Sequence, residues 1–192
     1  RNYLGFSDLI ADGFRDAGVG VDPVLPSASC AVLDRRRDGG LQRCMERCKK
    51  KLRKAKDEAT QAMVLALLVS DTCGRSGAHA SDLAKRHEHL VAEHLNEKTG
   101  ELLLGDLLGD RITGAERRGR HPPAGAAQSA QRALLFKALC DWLGLLDCTL
   151  EREVVEVTIG GPGACVAWNV VVVHEAPYLI DLLFDPGAMY EE

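Results

Sequence analysis

The fold of this chain is decided by residues 129–144, SAQRALLFKALCDWLG. Apolar residues recur through this stretch at helical spacing, which predicts an amphipathic helix. Ser129 is a residue type that caps the N-termini of helices, and Gly144 is a type that ends them. The stretch therefore predicts one helix with two well-marked ends.

Strand patterns follow this helix. Residues 148–159 contain an alternating segment, residues 164–173 are rich in β-branched types, and residues 178–183 form a short apolar run. Glycine and proline at 160–163 and at 174–177 predict turns between them. Helices followed by an antiparallel meander favour an α+β domain, in which helices pack on an antiparallel sheet formed by the C-terminal strands.

The first half of the chain is predicted to be mainly helical. Residues 41–74 carry a helical pattern, and a further helix is expected from Ser81 to about Glu97. Residues 30–34 suit one buried strand, and residues 3–16 suggest a short helix or turn. We therefore expect a single domain over 1–192. It comprises a mainly helical part at 1–99, a flexible loop at 100–128 around a short apolar element at 102–108, and the central helix with antiparallel strands at 129–192.

Composition limits the class of protein. The 192 residues include 24 basic and 28 acidic side chains, and 46% are hydrophobic, which is typical of a globular domain. No apolar run approaches the roughly 20 residues that cross a bilayer, so we expect a soluble protein with no membrane partner. The chain begins at Arg1 without a signal pattern, which suggests an excerpt of a longer polypeptide. Seven cysteines, an odd number, favour a reducing cytoplasmic compartment.

Residues 35–56 form the strongest electrostatic feature, with eleven basic residues against two acidic ones. Such a segment could be a solvated helix face, or it could bind an acidic protein or a nucleic acid. No aromatic residue lies among the basic ones, so a base-stacking role is poorly supported and we expect no nucleic-acid partner. The candidate binding residues for an acidic protein surface are Arg43, Arg47, Lys49, Lys50, Lys51, Arg53 and Lys54.

The sequence does not indicate a cofactor or a metal. Cys44 and Cys48 would share a helix face, but no second Cys or His pair lies at zinc-site spacing from them. The glycines at 160–163 lie between two strands and lack the following helix that would bind phosphate. No Gly-x-Ser-x-Gly nucleophile motif is present.

Three motifs in the second half are characteristic in combination. They are QRALLFKALCDWLG at 131–144, AWN at 167–169 and YLIDLLFDPG at 178–187, with weaker signatures at 12–14 and 32–38. Together they closely resemble the EDR1 domain, a branch of the transglutaminase-like superfamily. The resemblance spans most of the chain and is weakest at 74–128. It implies a transglutaminase-like (papain-like) fold.

The resemblance also places the family's catalytic positions. Transglutaminase-like enzymes use a Cys at the start of the central helix, a His on the next strand and an Asp on the strand after it. These positions correspond here to Ser129, Val166 and Asp181. Serine without an adjacent base is a poor nucleophile and valine transfers no proton, so the resemblance implies a pseudoenzyme.

Two further interpretations concern single residues near these positions. Asp181, Trp168 and Asn169 suit structural roles, in which Asp181 either accepts hydrogen bonds from backbone amides or from Trp168, or pairs with an arginine. A rebuilt thiol site, with Cys140 or Cys165 beside His174, is the alternative. Alternation along a strand disfavours Cys165, because it faces away from the side on which Val166 lies.

The EDR1 domain occurs near the amino end of plant Raf-like kinases and at the carboxyl end of an armadillo-repeat protein of cilia and sperm flagella. The AWN motif is more similar to the armadillo version. The resemblance therefore implies a non-catalytic, structural interaction module that docks its parent protein in a ciliary or flagellar axoneme. Its partners would be axonemal proteins such as tubulin or another acidic surface. The alternatives are a regulatory domain of a Raf-like kinase and a residual thiol enzyme of the transglutaminase or cysteine-peptidase type.

Overall fold

Helices and strands both contribute to the fold in the computed structural model, which describes residues 3–16, 30–74, 80–109, 127, 129–155 and 164–191. This mixed α+β content agrees with the predicted class. The helices are α1 (Gly39–Leu52), α2 (Glu58–Thr72), α3 (Ala80–His94) and α4 (Ser129–Leu143). The strands are β1 (Tyr3–Phe6), β2 (Phe14–Asp16), β3 (Cys30–Leu33), β4 (Glu101–Leu103), β5 (Cys148–Val155), β6 (Ala164–Val173), β7 (Ala176–Ile180) and β8 (Met189–Glu191), and a 3₁₀ turn spans Leu104–Leu107.

The larger sheet has five antiparallel strands in the order β1-β5-β6-β7-β8. Its C-terminal strands follow the predicted meander, although β7 begins at Ala176 and β8 has no counterpart in the prediction. The predicted glycine turn at 160–163 lies outside the described residues. The turn before β7 is made by His174 and Glu175, which both have positive φ angles.

The N-terminal segment departs from the prediction. Residues 3–16 form strands β1 and β2 with a turn between them, not the short helix or turn expected. Strand β1 completes the large sheet by pairing with β5, and it places Phe6 opposite Leu150. The mixed spacing of apolar residues did not indicate strands, because each is too short to show a period and each depends on a distant partner.

A second, smaller sheet has the order β2-β3-β4. Strand β3 forms where residues 30–34 predicted it, antiparallel to β2 and parallel to β4. Strand β4 and the 3₁₀ turn lie in the first part of the segment expected to be a flexible loop, and Leu102, Leu104 and Leu107 there are buried. The remainder of that predicted loop, apart from residues 109 and 127, lies outside the described residues.

Helix α4 forms the centre of the core. It begins at Ser129, ends before Gly144, and buries every residue from Arg132 to Cys140. A helix that is apolar nearly all round must be covered on several sides. Strands β5 and β6 cover one side of α4, and α2 packs against it as well.

Helices α2 and α4 end just before the glycines that follow them in the sequence, whereas α3 ends at His94, before the predicted limit near Glu97. Gly74 and Gly144 follow α2 and α4 with φ angles of +96° and +58°, the left-handed conformation that glycine adopts without strain. The described α-helices have 14 or 15 residues, and none of them is long and apolar enough to span a bilayer.

Candidate functional site

A cavity of about 190 Å³ lies at the N-terminal end of α4, against β6 and the turn between β7 and β8. Ser129 and Asp181 both line it, so the tertiary structure brings together two of the three positions that the family resemblance assigned. The third, Val166, is the residue of β6 that precedes the cavity-lining Ala167, but its side chain lies outside the described part. The cavity is otherwise lined by Arg132, Trp168, Leu179, Ile180, Leu182, Leu183 and Phe184.

Asp181 uses its carboxylate to hold the turn that follows it. Its Oδ1 accepts hydrogen bonds from the backbone N–H groups of Leu183 and Phe184 at 2.7 and 2.8 Å. Its Oδ2 accepts another from Asp185 at 3.1 Å. Of the three structural roles considered for Asp181, the structure shows the one that uses backbone amides. Both oxygens are engaged in ordering the wall of the cavity.

Arg132 is a residue of this site whose role the sequence did not reveal. It is 1% exposed, and its guanidinium donates to the backbone oxygens of Ala127 at 2.9 Å, Leu182 at 3.3 Å and Cys73 at 3.1 Å, and also to Gly74. Burial lowers the pKa of the guanidinium. The carbonyls at the end of α2 carry the negative end of the helix dipole and offset this cost. In the sequence, the signal for this role was a single arginine within an apolar helical segment.

Asn169 joins α4 to the sheet from within the core. It is fully buried, and its Nδ2 donates to the backbone oxygens of Ala133 and Thr149, each at 3.1 Å. The structural role predicted for Asn169 is confirmed by these bonds. Trp168, its neighbour, lines the cavity instead.

The described thiols are buried. Burial, followed by the effect of Cys148, raises the pKa of Cys140 well above its ordinary value. Burial also raises the pKa of Cys73 to about 12. His174 is exposed and lies beside Glu58, with Nδ1 3.7 Å from a carboxylate oxygen. The side chain of Cys165 lies outside the described part, so the alternative that uses it has no geometry here.

The candidate binding residues lie on and just after α1. This helix buries Leu41, Cys44, Met45, Cys48 and Leu52 and turns its basic residues outward. We call the following seven residues the basic surface. It consists of Arg43, Lys49, Lys50, Lys51, Arg53 and Lys54, which are exposed, and Arg47, which is half-buried.

Two acidic residues touch the basic surface. Lys49 Nζ lies 2.9 Å from Glu46, and Arg47 Nη2 lies 3.8 Å from Asp71. Within the described residues, the structure shows no carboxylate paired with Lys50, Lys51, Arg53 or Lys54. Four of the seven cations of the basic surface therefore have no paired carboxylate among the described residues.

Arg35, at the start of the basic segment, is not part of this surface. Its Nε and Nη2 donate to the two carboxylate oxygens of Asp12, both at 2.7 Å. Its guanidinium also lies 4.7 Å from the centre of the Trp142 ring. The cationic surface that is open to a partner is therefore smaller than the predicted segment 35–56, because the first arginine of that segment is paired with Asp12.

The chain was compared with protein-family models, with curated proteins and with solved structures, and none of the three comparisons found a match. The likeness to the EDR1 domain therefore rests on the sequence motifs. Within the described ranges, no group of three or more His, Cys, Asp or Glu side chains is placed to hold a metal ion. What the geometry defines is an α+β domain with a small cavity at its central helix and a basic surface on α1.

Proposed function

We propose that this chain is a non-catalytic protein-interaction module of the EDR1 type, with a transglutaminase-like fold, that docks by its basic surface on an acidic protein. In this proposal it is the carboxyl-terminal domain of an armadillo-repeat protein, similar to armadillo repeat-containing protein 3, in a ciliary or flagellar axoneme. The observation that carries the proposal is a group of four exposed cations at the end of α1 and just after it, for which the described residues show no paired carboxylate: Lys50, Lys51, Arg53 and Lys54.

The spacing of the basic surface suits an extended acidic segment. Arg43, Arg47 and Lys50 are separated by four and three residues, so they follow one stripe of the helix about 10 Å long. Lys51, Arg53 and Lys54 continue the positive charge around the end of α1. Because the apolar side of α1 is buried, charge dominates recognition, and binding should weaken as salt screens it.

The cavity at α4 supports the proposal that the chain is not catalytic. Ser129 lines it, but Asp181, the only acid among its described lining residues, already accepts hydrogen bonds from the backbone amides of the following turn. A serine hydroxyl needs an adjacent general base to act as a nucleophile. Cys140, the described thiol considered for a rebuilt site, is buried and has a raised pKa, which disfavours the reactive thiolate.

Reversing charge on the basic surface tests the proposal. We expect the full chain to co-sediment with microtubules at low salt, because the carboxyl-terminal tails of tubulin are acidic. The affinity of the variant K49E/K50E/K51E/K54E should be at least about tenfold lower, since each reversed charge replaces an attraction with a repulsion. Microtubules whose tails have been removed by protease should bind the unaltered chain equally poorly.

A matched control carries the same kind of change elsewhere. Lys85 and Lys98 are exposed in and after α3, so K85E/K98E alters net charge without touching the basic surface. This variant should retain most of the binding. The proposal that α1 docks the partner is wrong if K49E/K50E/K51E/K54E binds as well as the unaltered chain. It is also wrong if both variants lose the same affinity per reversed charge.

A further inference from the structure

A second and larger concave surface lies at the other end of α4. It is a groove of about 790 Å³, between the C-terminal turn of α4, the start of β5 and the end of β6. Among the described residues, it shares no lining residue with the cavity at Ser129 and none with the basic surface. Its size falls within the range of pockets that enclose ligands or anchor side chains.

The groove has an exposed apolar wall. Leu9 is 78% exposed and Val172 is 40% exposed, and both line it together with the half-buried Leu145. The loop that carries Leu9 is held at the next residue, because Ile10 N–H donates to Asp141 Oδ2 at 2.9 Å and Trp142 Nε1 donates to Ile10 O at 2.6 Å. Leu9 is therefore presented to solvent from a fixed position. Several exposed apolar side chains that line one concave site commonly mark a contact surface.

The groove also has an acidic rim. Glu58, Asp147 and Glu175 line it, and the exposed His174 lies beside Glu58. Lys137 is the only cation among the described lining residues, and it is paired with a carboxylate of its own helix. Its Nζ, on a side chain 1% exposed, lies 2.6 and 2.8 Å from the two carboxylate oxygens of Asp141. The charge that remains is negative, and apolar walls strengthen its field.

We propose that this groove docks a basic segment of a partner protein, in which an apolar side chain is flanked by lysines or arginines. The apolar side chain would contact Leu9 and Val172, and the cations would face Glu58, Asp147 and Glu175. A second copy of this chain is the less suitable occupant. Its basic surface on α1 has the required charge, but the apolar residues of that helix are buried and leave no anchor.

The probe is a short fluorescein-labelled peptide of alternating Lys and Leu, titrated with the full chain and followed by fluorescence anisotropy. Two matched peptides replace either Leu by Ala or Lys by Glu. We expect the Lys-Leu peptide to bind, and each matched peptide to bind at least about tenfold more weakly, because one loses the apolar anchor and the other the charge attraction.

Variants then locate the binding. Leu9→Ser, and separately Asp147→Asn with Glu175→Gln, change exposed side chains and should each weaken the Lys-Leu peptide by about fivefold or more. The matched control, Glu97→Gln with Glu191→Gln, removes two exposed charges away from the groove and should change binding less than about twofold. Thermal melting of each variant confirms that the fold is intact.

Several outcomes would overturn the inference. Equal binding of the Lys-Ala peptide, or an equal loss in the control variant, would show general charge attraction. Binding of spermine with the same sensitivity to the rim variants, in the absence of peptide binding, would make the groove a small-cation site. Self-association abolished by Leu9→Ser would make it an interface between copies. None of these results bears on docking through α1, because the two surfaces share no residue.

Discussion

Arg132 shows how one side chain can organise a site without acting in it. Its guanidinium connects the start of α4, the end of α2 and the turn after β7 through backbone oxygens of Ala127, Cys73 and Leu182. A buried charge is costly unless its hydrogen bonds are satisfied, and these bonds satisfy it. The cavity at Ser129 therefore owes its shape to a structural cation.

Asp12 gives a prediction at the scale of the residue. Hydrogen bonds from the Arg35 side chain lower the pKa of Asp12 below its ordinary value of 3.8. The folded chain therefore holds this carboxylate ionised at pH values where the unfolded chain has protonated it. The resulting stability is present above pH 3.8 and is lost as the pH falls through the lowered pKa.

We expect Asp12→Asn to lower the melting temperature at pH 7, and the difference from the unaltered chain to shrink as the pH falls to 2. Thermal melts followed by circular dichroism across this range measure it. Asp8→Asn, at an exposed position in the same segment, is the control and should show little pH-dependent difference. A difference for Asp12→Asn that stays constant with pH would contradict the linkage.

At the scale of the element, α1 depends on a cap that reaches beyond the helix. Asp38 is buried, and its carboxylate accepts hydrogen bonds from Leu41 N–H at 2.9 Å and from Gly105 N–H at 2.6 Å. Burial raises the pKa of Asp38. The Asp38 side chain thus caps the N-terminus of α1 and links this helix to the 3₁₀ turn.

Gly105→Ala tests this attachment. A Cβ at Gly105 would lie only 1.8 Å from Asp38 Oδ1, so the carboxylate must move and its bonds must weaken. We expect a loss of about 2 kcal/mol in the free energy of unfolding, measured by urea titration. Gly39→Ala is the control, because its Cβ would meet only the flexible end of Arg43 at 3.3 Å. Similar losses in both variants would show that the contact with Asp38 is not decisive.

Elements with local patterns were predictable from the sequence. The helical patterns over 41–74, 81–97 and 129–143 correspond to α1, α2, α3 and α4. Strands β1 and β2 were not predictable, since they have only four and three residues. Their partners are β5 and β3, and such pairing across the chain leaves no local period.

At the scale of the whole molecule, the packing that buries α4 also protects the thiols. Cys73 and Cys140 are at most 1% exposed, and burial raises the pKa of both. An unperturbed thiol has a pKa of about 8.5 and reacts through its thiolate. Reactivity in the folded chain should therefore be limited by opening of the core.

We expect iodoacetamide at pH 7 to modify Cys73 and Cys140 much more slowly in the folded chain than in urea, with rates that rise together as the chain unfolds. Mass spectrometry of the digested protein measures each site. The same chain unfolded in urea supplies the reference rate. Rapid modification of Cys140 in the folded chain below pH 7 would favour a thiol enzyme over the non-catalytic module.

The α+β class, the limits of α4, the strands β5, β6 and β7 and the positive charge along α1 could all be inferred from the sequence alone, because each depends on neighbours along the chain. Tertiary packing was needed to bring Ser129 and Asp181 into one cavity, to pair Arg35 with Asp12 and to form an acidic groove beside Leu9. These features join segments far apart in sequence. Their geometry depends on how α4 packs against the large sheet, and local sequence patterns do not indicate that packing.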